Sequence, residues 1–567
     1  MAWYDEAVFY HIYPLGLTGA PKKNTYGAPE HRLNTLLPWI DHIKSLGCSA
    51  IYIGPLFESV GHGYETTDYK KLDSRLGDNQ DLKNFVAECH AKGVRVIFDG
   101  VFNHTGRDFF AFRDIQEKRQ GSQYKDWYCN VNFWGNNEYN DGFSYDNWGG
   151  YNLLVKLNQR NPAVKDYICD VIRFWVSEFD VDGIRLDAAD VLDFDFMQAL
   201  RQTANEVKPD FWLMGEVIHG DYVRWVNEWT LHSVTDYQLH KALYSGHNDH
   251  NYFEIAHTVK RMYDMGGCNT NRFKLYNFVD NHDVERICTK LNNKAHFAPV
   301  HILLYTLPGI PSLYYGSEFG IEGRKERHSD DSLRPALHLE DYGNALTDNP
   351  FTALVAALGR ARRQSKALSY GDYRELLLTN RQYAFSRNFE GESAVVTVNN
   401  DDSDYVMTVA AGNSGEYVGV LSGQRVRAEN GCICVNVRAN YGELWLPAAG
   451  WDPAGRSDLE PVEFHAVPAA QSAAAPVEEV PPAGGGAEIE APVQEAHASA
   501  NVPAEVPAPQ AAPAGTSDEF ERGRIAGLQE AIIAIMEKYG PVTDQMRKDV
   551  TDNVYHDSLI TWIKSFQ

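Results

Sequence analysis

Four stretches place acidic side chains at or just beyond a short apolar run: Gly183-Ile-Arg-Leu-Asp187, Leu213-Met-Gly-Glu216, Phe278-Val-Asp-Asn-His-Asp283, and the cluster from Asp99 through Asn103 to His104. Carboxyl groups held at strand ends in a pocket donate protons, accept them or attack as nucleophiles. Arg185 stands two residues before Asp187, so on a strand their side chains share a face. Taken singly, each acid has an ordinary reading as a helix cap or half of an ion pair. Four clusters at the ends of successive strands point to one shared site, because the parallel βα barrel gathers the carboxyl ends of its strands at a common rim.

The elements that must position these groups are legible as alternation. From about residue 7 to 363, β-branched runs (Ala50–Gly54, Val94–Asp99, Gly183–Asp187, Trp212–Val217, Lys274–Val279 and Ser312–Tyr315) alternate with amphipathic helical stretches. That rhythm predicts an α/β fold, a (β/α)8 barrel over 1–364 in preference to an open doubly wound sheet. A Tyr-, Trp-, Asn- and Gly-rich connection over 104–158 is too long for a plain loop and predicts a small subdomain inserted after the third strand, beside the barrel mouth. Past Leu368 the period falls to two, as in Ala394-Val-Val-Thr-Val398 and Cys432-Ile-Cys-Val-Asn-Val437, which predicts an antiparallel β-sandwich domain over 365–448. Residues 452–515 are Ala, Pro, Glu and Gly with almost no large apolar side chain, the composition of a disordered linker. Over 516–567 a helical hairpin is expected: Thr516 and Glu519 have capping-box spacing, Leu528, Ile532, Ile535 and Met536 form a stripe, and Gly540-Pro541 separates the two helices. So small a module suggests docking or self-association.

The totals narrow the partners. The net charge of -25 argues against nucleic acid and anionic membrane, both of which need a positive counter-surface, and suits a neutral polymer. Twelve Trp and 31 Tyr supply flat rings that suit sugar faces, although rings also fill cores. The eight cysteines lack CxxC or Cys/His spacing, so they read as buried free thiols and not as a metal cluster. The opening residues have neither a basic nor an apolar leader segment, and no run reaches membrane-spanning length, which together predict a cytoplasmic protein.

The same strand-end residues carry a resemblance. Asp99-Gly-Val-Phe-Asn-His104, Gly183-Ile-Arg-Leu-Asp187, Gly215-Glu216 and Phe278-Val-Asp-Asn-His-Asp283 resemble, in order and spacing, the four signature regions of the α-amylase superfamily, glycoside hydrolase family 13. His62-Gly-Tyr64 and Gly309-Ile-Pro311 add to the match, which spans about 1–447. Leu154-Val-Lys-Leu-Asn158 is similar to the stretch that marks the neopullulanase, cyclomaltodextrinase and maltogenic amylase branch, with Val where that branch has Pro.

The resemblance implies a retaining hydrolase of α-1,4 glucosidic bonds, with α-1,6 bonds as an open alternative, in maltodextrins, cyclodextrins or starch fragments, with no organic cofactor. Asp187 would be the nucleophile, Glu216 the acid and base, and Asp283 the group holding the sugar's 2- and 3-hydroxyls. Arg185 would keep Asp187 ionised. His104 and His282 would bind the sugar at the cleavage subsite, with Asp99 in the same cluster. Tyr64 would stack beneath that sugar, and Arg334 would reach a second glucose. Asn103 matches a calcium-binding position. The chain opens almost at the first strand, so the branch's N-terminal β-sandwich is not expected, and Ala188-Ala-Asp190 departs from its Val-Ala-Asn-Glu. Cyclodextrin preference and linkage choice therefore stay open. Two other readings are a glucanotransferase using the same double displacement and a non-catalytic barrel serving as a scaffold, the second disfavoured by the presence of all three acids.

Overall fold

The structure, a computed structural model, describes residues 2–265, 274–327, 329–412, 415–449 and 451. Eight short strands form the first sheet: β1 Phe9–Ile12, β2 Ala50–Ile53, β3 Arg95–Gly100, β4 Gly183–Leu186, β5 Trp212–Gly215, β6 Ser233–Val234, β7 Tyr276–Phe278 and β8 Ile310–Tyr314. All neighbours run parallel, in the order β6-β5-β4-β3-β2-β1-β8-β7. The two edges meet where Thr235, just past β6, bridges Tyr276 of β7, and the Asp236 N–H donates to the Tyr276 carbonyl at 2.9 Å. The sheet thus closes into a barrel.

Period-two alternation fills both sides of that barrel. Phe9, Tyr52, Ile97, Trp212, Met214 and Tyr276 pack together inside, while Tyr10, Ile51, Val96 and Leu213 join the larger core shared with the helices. The Trp212 ring stacks 5.0 Å from Phe9. Gly183 is required next to it, since a Cβ there would lie 2.5 Å from the Trp212 carbonyl oxygen. Helix α1, Pro162–Phe179, shows why the outer layer forms: Asn161 caps its first turn through the Ala163 N–H, Pro162 starts it, and Val164, Ile168, Val171, Ile172, Trp175 and Phe179 face the sheet. It ends at Asp180 in the left-handed region, φ 55°.

Between β3 and α1 the chain builds a small inserted unit whose aromatic residues continue the core shared by the barrel and its helices. Helix Phe110–Lys118 and the three-stranded sheet of His104–Thr105, Asn147–Trp148 and Tyr151–Lys156 enclose Phe112, Tyr128, Phe143 and Tyr145.

After the barrel come β9 Asp372–Leu378, β10 Gln382–Phe389, β11 Glu392–Asn399, β12 Tyr405–Ala410, β13 Glu416–Gly419, β14 Arg425–Arg427, β15 Cys432–Val437 and β16 Tyr441–Pro447. Six form one antiparallel sheet ordered β9-β10-β11-β16-β13-β14, and β12 pairs with β15. Met407, Val409, Ile433 and Val435 of the pair pack on Val395 and Trp445 of the sheet. The expectation of buried thiols fails in part: Cys434 is exposed and Cys129 and Cys432 are half-buried, with Cys432 and Cys434 sharing the outer face of β15. The expected linker and helical hairpin lie outside the described residues. Among the described residues, no helix is long and apolar enough to cross a membrane.

The barrel seam carries a pH-sensitive group. Asp236 starts helix α2, Tyr237–Asn248, where its Oδ1 accepts the Leu239 N–H at 2.9 Å, while Oδ2 is buried without a partner. Burial pushes its pKa up to about 7, against the pull of the Leu239 N–H and Arg261. An unfolded Asp titrates near ~3.9. Between about pH 4 and 7 the unfolded chain therefore releases a proton that the native state keeps, and stability falls as pH rises. Asp236→Asn should flatten that decline and gain, relative to the parent, roughly 1–4 kcal/mol between pH 4 and 8. Parallel pH-stability curves for parent and variant in chemical denaturation would refute it.

Candidate active site

Five of the barrel strands, β3, β4, β5, β7 and β8, lead into side chains that gather at one rim. Asp99 comes from β3 itself, and Arg185 from β4 with Asp187 immediately beyond it. Glu216 follows β5, Asp283 lies in the loop after β7 and Arg334 in the loop after β8. The chain leaves β4 through Ala188, a non-glycine residue at φ 46°, a costly conformation for an L-residue. That turn aims the Ala188 N–H at Glu216 Oε2, 3.1 Å away.

Arg185 organises the floor. Its Nη1 lies 2.9 Å from both Asp99 Oδ1 and Asp187 Oδ1, and its Nη2 lies 3.0 Å from Glu216 Oε1. One guanidinium, 3% exposed, thus serves three carboxyl groups. Asp99 Oδ2 also accepts from Tyr52 at 2.7 Å and Tyr64 at 3.2 Å. The Tyr64 hydroxyl contacts His282 Nε2, and the two rings lie parallel, 5.7 Å apart. His104 Nε2 sits 3.1 Å from the Tyr64 carbonyl oxygen. Asp283 is the open-side member, its side chain 37% exposed, held by Arg334 Nη2 at 2.8 Å with His282 Nε2 at 3.1 Å. Arg334 also donates to the His282 carbonyl and to Asp330.

The electrostatics follow from burial and from that sharing. Burial pushes Glu216 up; Arg185 pulls it down, and Asp283 and Asp99 push it up again. Asp187 is pushed the same way. Burial drives it well above the usual carboxylate range, Glu216 and Asp99 add to the rise, and the pull of Arg185 does not reverse it. The cation is divided three ways, so its pull on each carboxyl is opposed by burial, and at Asp187 and Glu216 by the other acids as well. Burial also acts to raise Asp283, yet its cationic surroundings bring it down to about 2. Since burial holds His282 near 3 and hence neutral, the standing cations there are Arg334, Arg185 and Lys325.

Asn103, the candidate calcium ligand, is engaged within the protein. Its Oδ1 accepts from Gln159 Nε2 at 3.3 Å and its amide nitrogen lies 3.2 Å from His104 Nδ1. Calcium takes six to eight oxygen ligands from carboxylates, carbonyls and water. The one gathering of three His, Cys, Asp or Glu ligand atoms among the described residues is His31, Asp78 and Asp81, at a helix start elsewhere.

Several participants were not singled out in the sequence. Tyr52 was an unremarked aromatic in an apolar strand. Tyr237 donates to Glu216 Oε1 at 3.3 Å and accepts from Asn281 at 3.2 Å. Lys325 donates to the Asp283 carbonyl at 3.2 Å. Only Tyr52 had a signal, a polar tip placed two residues from Ala50 on the inward face.

Three acids, a shared arginine and two neutral histidines at the carboxyl ends of a closed parallel barrel define a barrel enzyme equipped for acid–base work on an uncharged ligand. The chain belongs to the alpha-amylase family, glycoside hydrolase family 13: residues 24–350 match the model of the alpha-amylase catalytic domain. It is 31% identical over 431 residues to a cyclomaltodextrinase of Thermoanaerobacter pseudethanolicus, covering 71% of this chain and 72% of that one. Neopullulanase 2 of Thermoactinomyces vulgaris is 29% identical over 473 residues, 78% of each chain. Among solved structures, the debranching enzyme of Nostoc punctiforme superposes with a TM-score of 0.68 at 25% identity, over 78% of this chain and 98% of that one. The protein is therefore a glycoside hydrolase of α-glucans, related to cyclomaltodextrinase and neopullulanase.

Proposed function

We propose that this enzyme cleaves α-1,4-glucosidic bonds of maltodextrins, cyclic dextrins or starch fragments by double displacement, with α-1,6 bonds as further substrates. The observation that carries the reading is the single Arg185 guanidinium reaching both Asp187 and Glu216. Asp187 attacks the anomeric carbon as the bond to the leaving oxygen breaks, and Glu216 transfers its proton to that oxygen. The resulting β-glucosyl ester is hydrolysed when water, losing a proton to Glu216, attacks the same carbon and releases Asp187. Asp283, kept ionised by Arg334, accepts hydrogen bonds from the sugar's 2- and 3-hydroxyls. His104 and His282, neutral through burial, hydrogen-bond the same sugar, and Tyr64 borders it. Arg334 is committed to Asp283 and Asp330, so it acts on this glucose through Asp283, and its reach to a second sugar is secondary.

Maltotriose tests this reading. The expected first products are glucose and maltose, with the newly formed reducing end in the α configuration by NMR before mutarotation. A β product would mean inversion and remove the nucleophile role from Asp187. Accumulation of oligomers longer than maltotriose would assign the enzyme to glucosyl transfer.

A further inference from the structure

The segment between β3 and α1 carries a second concave surface that shares no residue with the catalytic pocket. It is a groove of about 620 Å³ lined by Gln120, Asn130, Asn132, Trp134, Ser144 and Asp146, among others. That volume lies within the ~300–1,000 Å³ typical of small-molecule sites. Above it stands Trp134, 92% exposed, while the next most exposed tryptophan among the described residues, Trp229, is 69% exposed.

The indole is not held out by a loose loop. The Trp134 backbone N–H donates to Asn132 Oδ1 at 3.0 Å, the Gly135 N–H closes a turn onto the Asn132 carbonyl at 3.1 Å, and Asn132 pairs with Ser144 through both backbone hydrogen bonds. The neighbouring Phe133 packs 5.7 Å from Phe143, under the Arg119 guanidinium. The turn is therefore anchored from below while its largest apolar face is given to solvent. Among its polar walls, amides and a hydroxyl predominate: Gln120, Asn130, Asn132 and Ser144. The one carboxylate, Asp146, already accepts from Asn130 at 2.8 Å, and no lysine or arginine lines the groove. Such walls are mostly uncharged and suit a neutral ligand. A flat ring beside neutral donors and acceptors matches a pyranose, which presents an apolar C–H face and a rim of hydroxyls.

We propose that this groove is a second α-glucan binding site, with Trp134 as the stacking platform, which holds a polymeric chain apart from the bond being cut. The identity of the ligand rests on the enzyme's α-glucan substrate class. The site itself rests on the groove and the indole.

The test uses the full chain and its Trp134→Ala, Trp134→Phe and Gln120→Ala variants. Retardation in native gels containing soluble starch is compared with the KM for maltotriose, which is too short to span two sites. Trp134→Ala should weaken starch retention at least about fivefold relative to any change with maltotriose, the scale of one aromatic contact. Trp134→Phe should keep most of the retention, and Gln120→Ala should lose a smaller part. Equal retention by parent and Trp134→Ala would overturn the proposal. So would a proportional loss with maltotriose, which would place the indole in the catalytic pocket. A change from dimer to monomer by light scattering, with starch retention preserved, would make it a self-association surface and also overturn it. Because gel retention needs no turnover, its failure leaves the catalytic reading untouched.

Discussion

Glu216→Gln is expected to lower maltotriose turnover by about 10³-fold, the scale of one general acid–base group, while the protein stays folded. The amide preserves the shape of the carboxyl and can still accept the Ala188 N–H through its oxygen. What it loses is the proton for the leaving oxygen and the base for water. The two losses can be separated by substrate chemistry. α-Glucosyl fluoride leaves without protonation, so its first step should be largely spared and the glucosyl-enzyme should accumulate. Azide, which attacks without giving up a proton, should then speed turnover and yield α-glucosyl azide. A residue with only a structural role would show neither the leaving-group dependence nor the azide rescue. If the variant retains substantial turnover of maltotriose, the assignment of Glu216 as acid and base fails.

The second large effect is expected at Arg185. Arg185→Met removes the guanidinium shared by Asp99, Asp187 and Glu216 and leaves three buried carboxyl groups without their common cation. Breaking a buried ion pair from one side typically costs about 3–5 kcal/mol, and a loss of that size is expected near neutral pH. The deficit has a definite pH dependence. Without Arg185 the carboxyl groups titrate higher in the folded state than in the unfolded one. Stability is then retained below the unfolded carboxylate pKa and lost as pH rises through the raised folded values. Urea denaturation of parent and variant should therefore converge toward pH 5 and diverge toward pH 8. Activity should be abolished at both ends, since the acids can no longer occupy opposite protonation states. A deficit that is constant with pH would mean that Arg185 contributes by packing alone.

The acids were legible in the sequence because each follows a run whose apolar residues announce a strand, and the strand's end fixes where the acid must go. The long connection after β3 was legible as a folded unit from its length and aromatic content. Other features were hidden for reasons of distance. Strand β6 is only Ser233–Val234, too short to show alternation, and β1 went unremarked as a separate run. The seam that closes the barrel joins Thr235 to Tyr276, a pairing that no local pattern encodes. Likewise the sequence pairs Arg185 with Asp187 at two residues' remove, but Asp99 lies 86 residues away. The upward push on Asp187 from Glu216 and Asp99 was hidden for the same reason, because a local motif does not reveal how many acids share one cation. Asn103 is the converse case: its motif position suggests a metal, and the Gln159 amide that engages it comes from 56 residues downstream.

The segment Phe297–Thr306, helix α3, consists entirely of buried residues, unlike an ordinary barrel helix with one wet face. Helix α4, Pro350–Gln364, and strands β11 and β16 cover it, and Arg387 of β10 donates to the Thr306 carbonyl at 2.8 Å. Gly442 lies so near that an added Cβ would meet Ile302 at 3.0 Å. The two folding layers are consequently one cooperative unit. Trimming the chain before β9 would strip a greasy cylinder bare and yield an insoluble product, whereas a shortened version that runs through Pro447 keeps this cover, and its heat-induced melting should proceed in a single step.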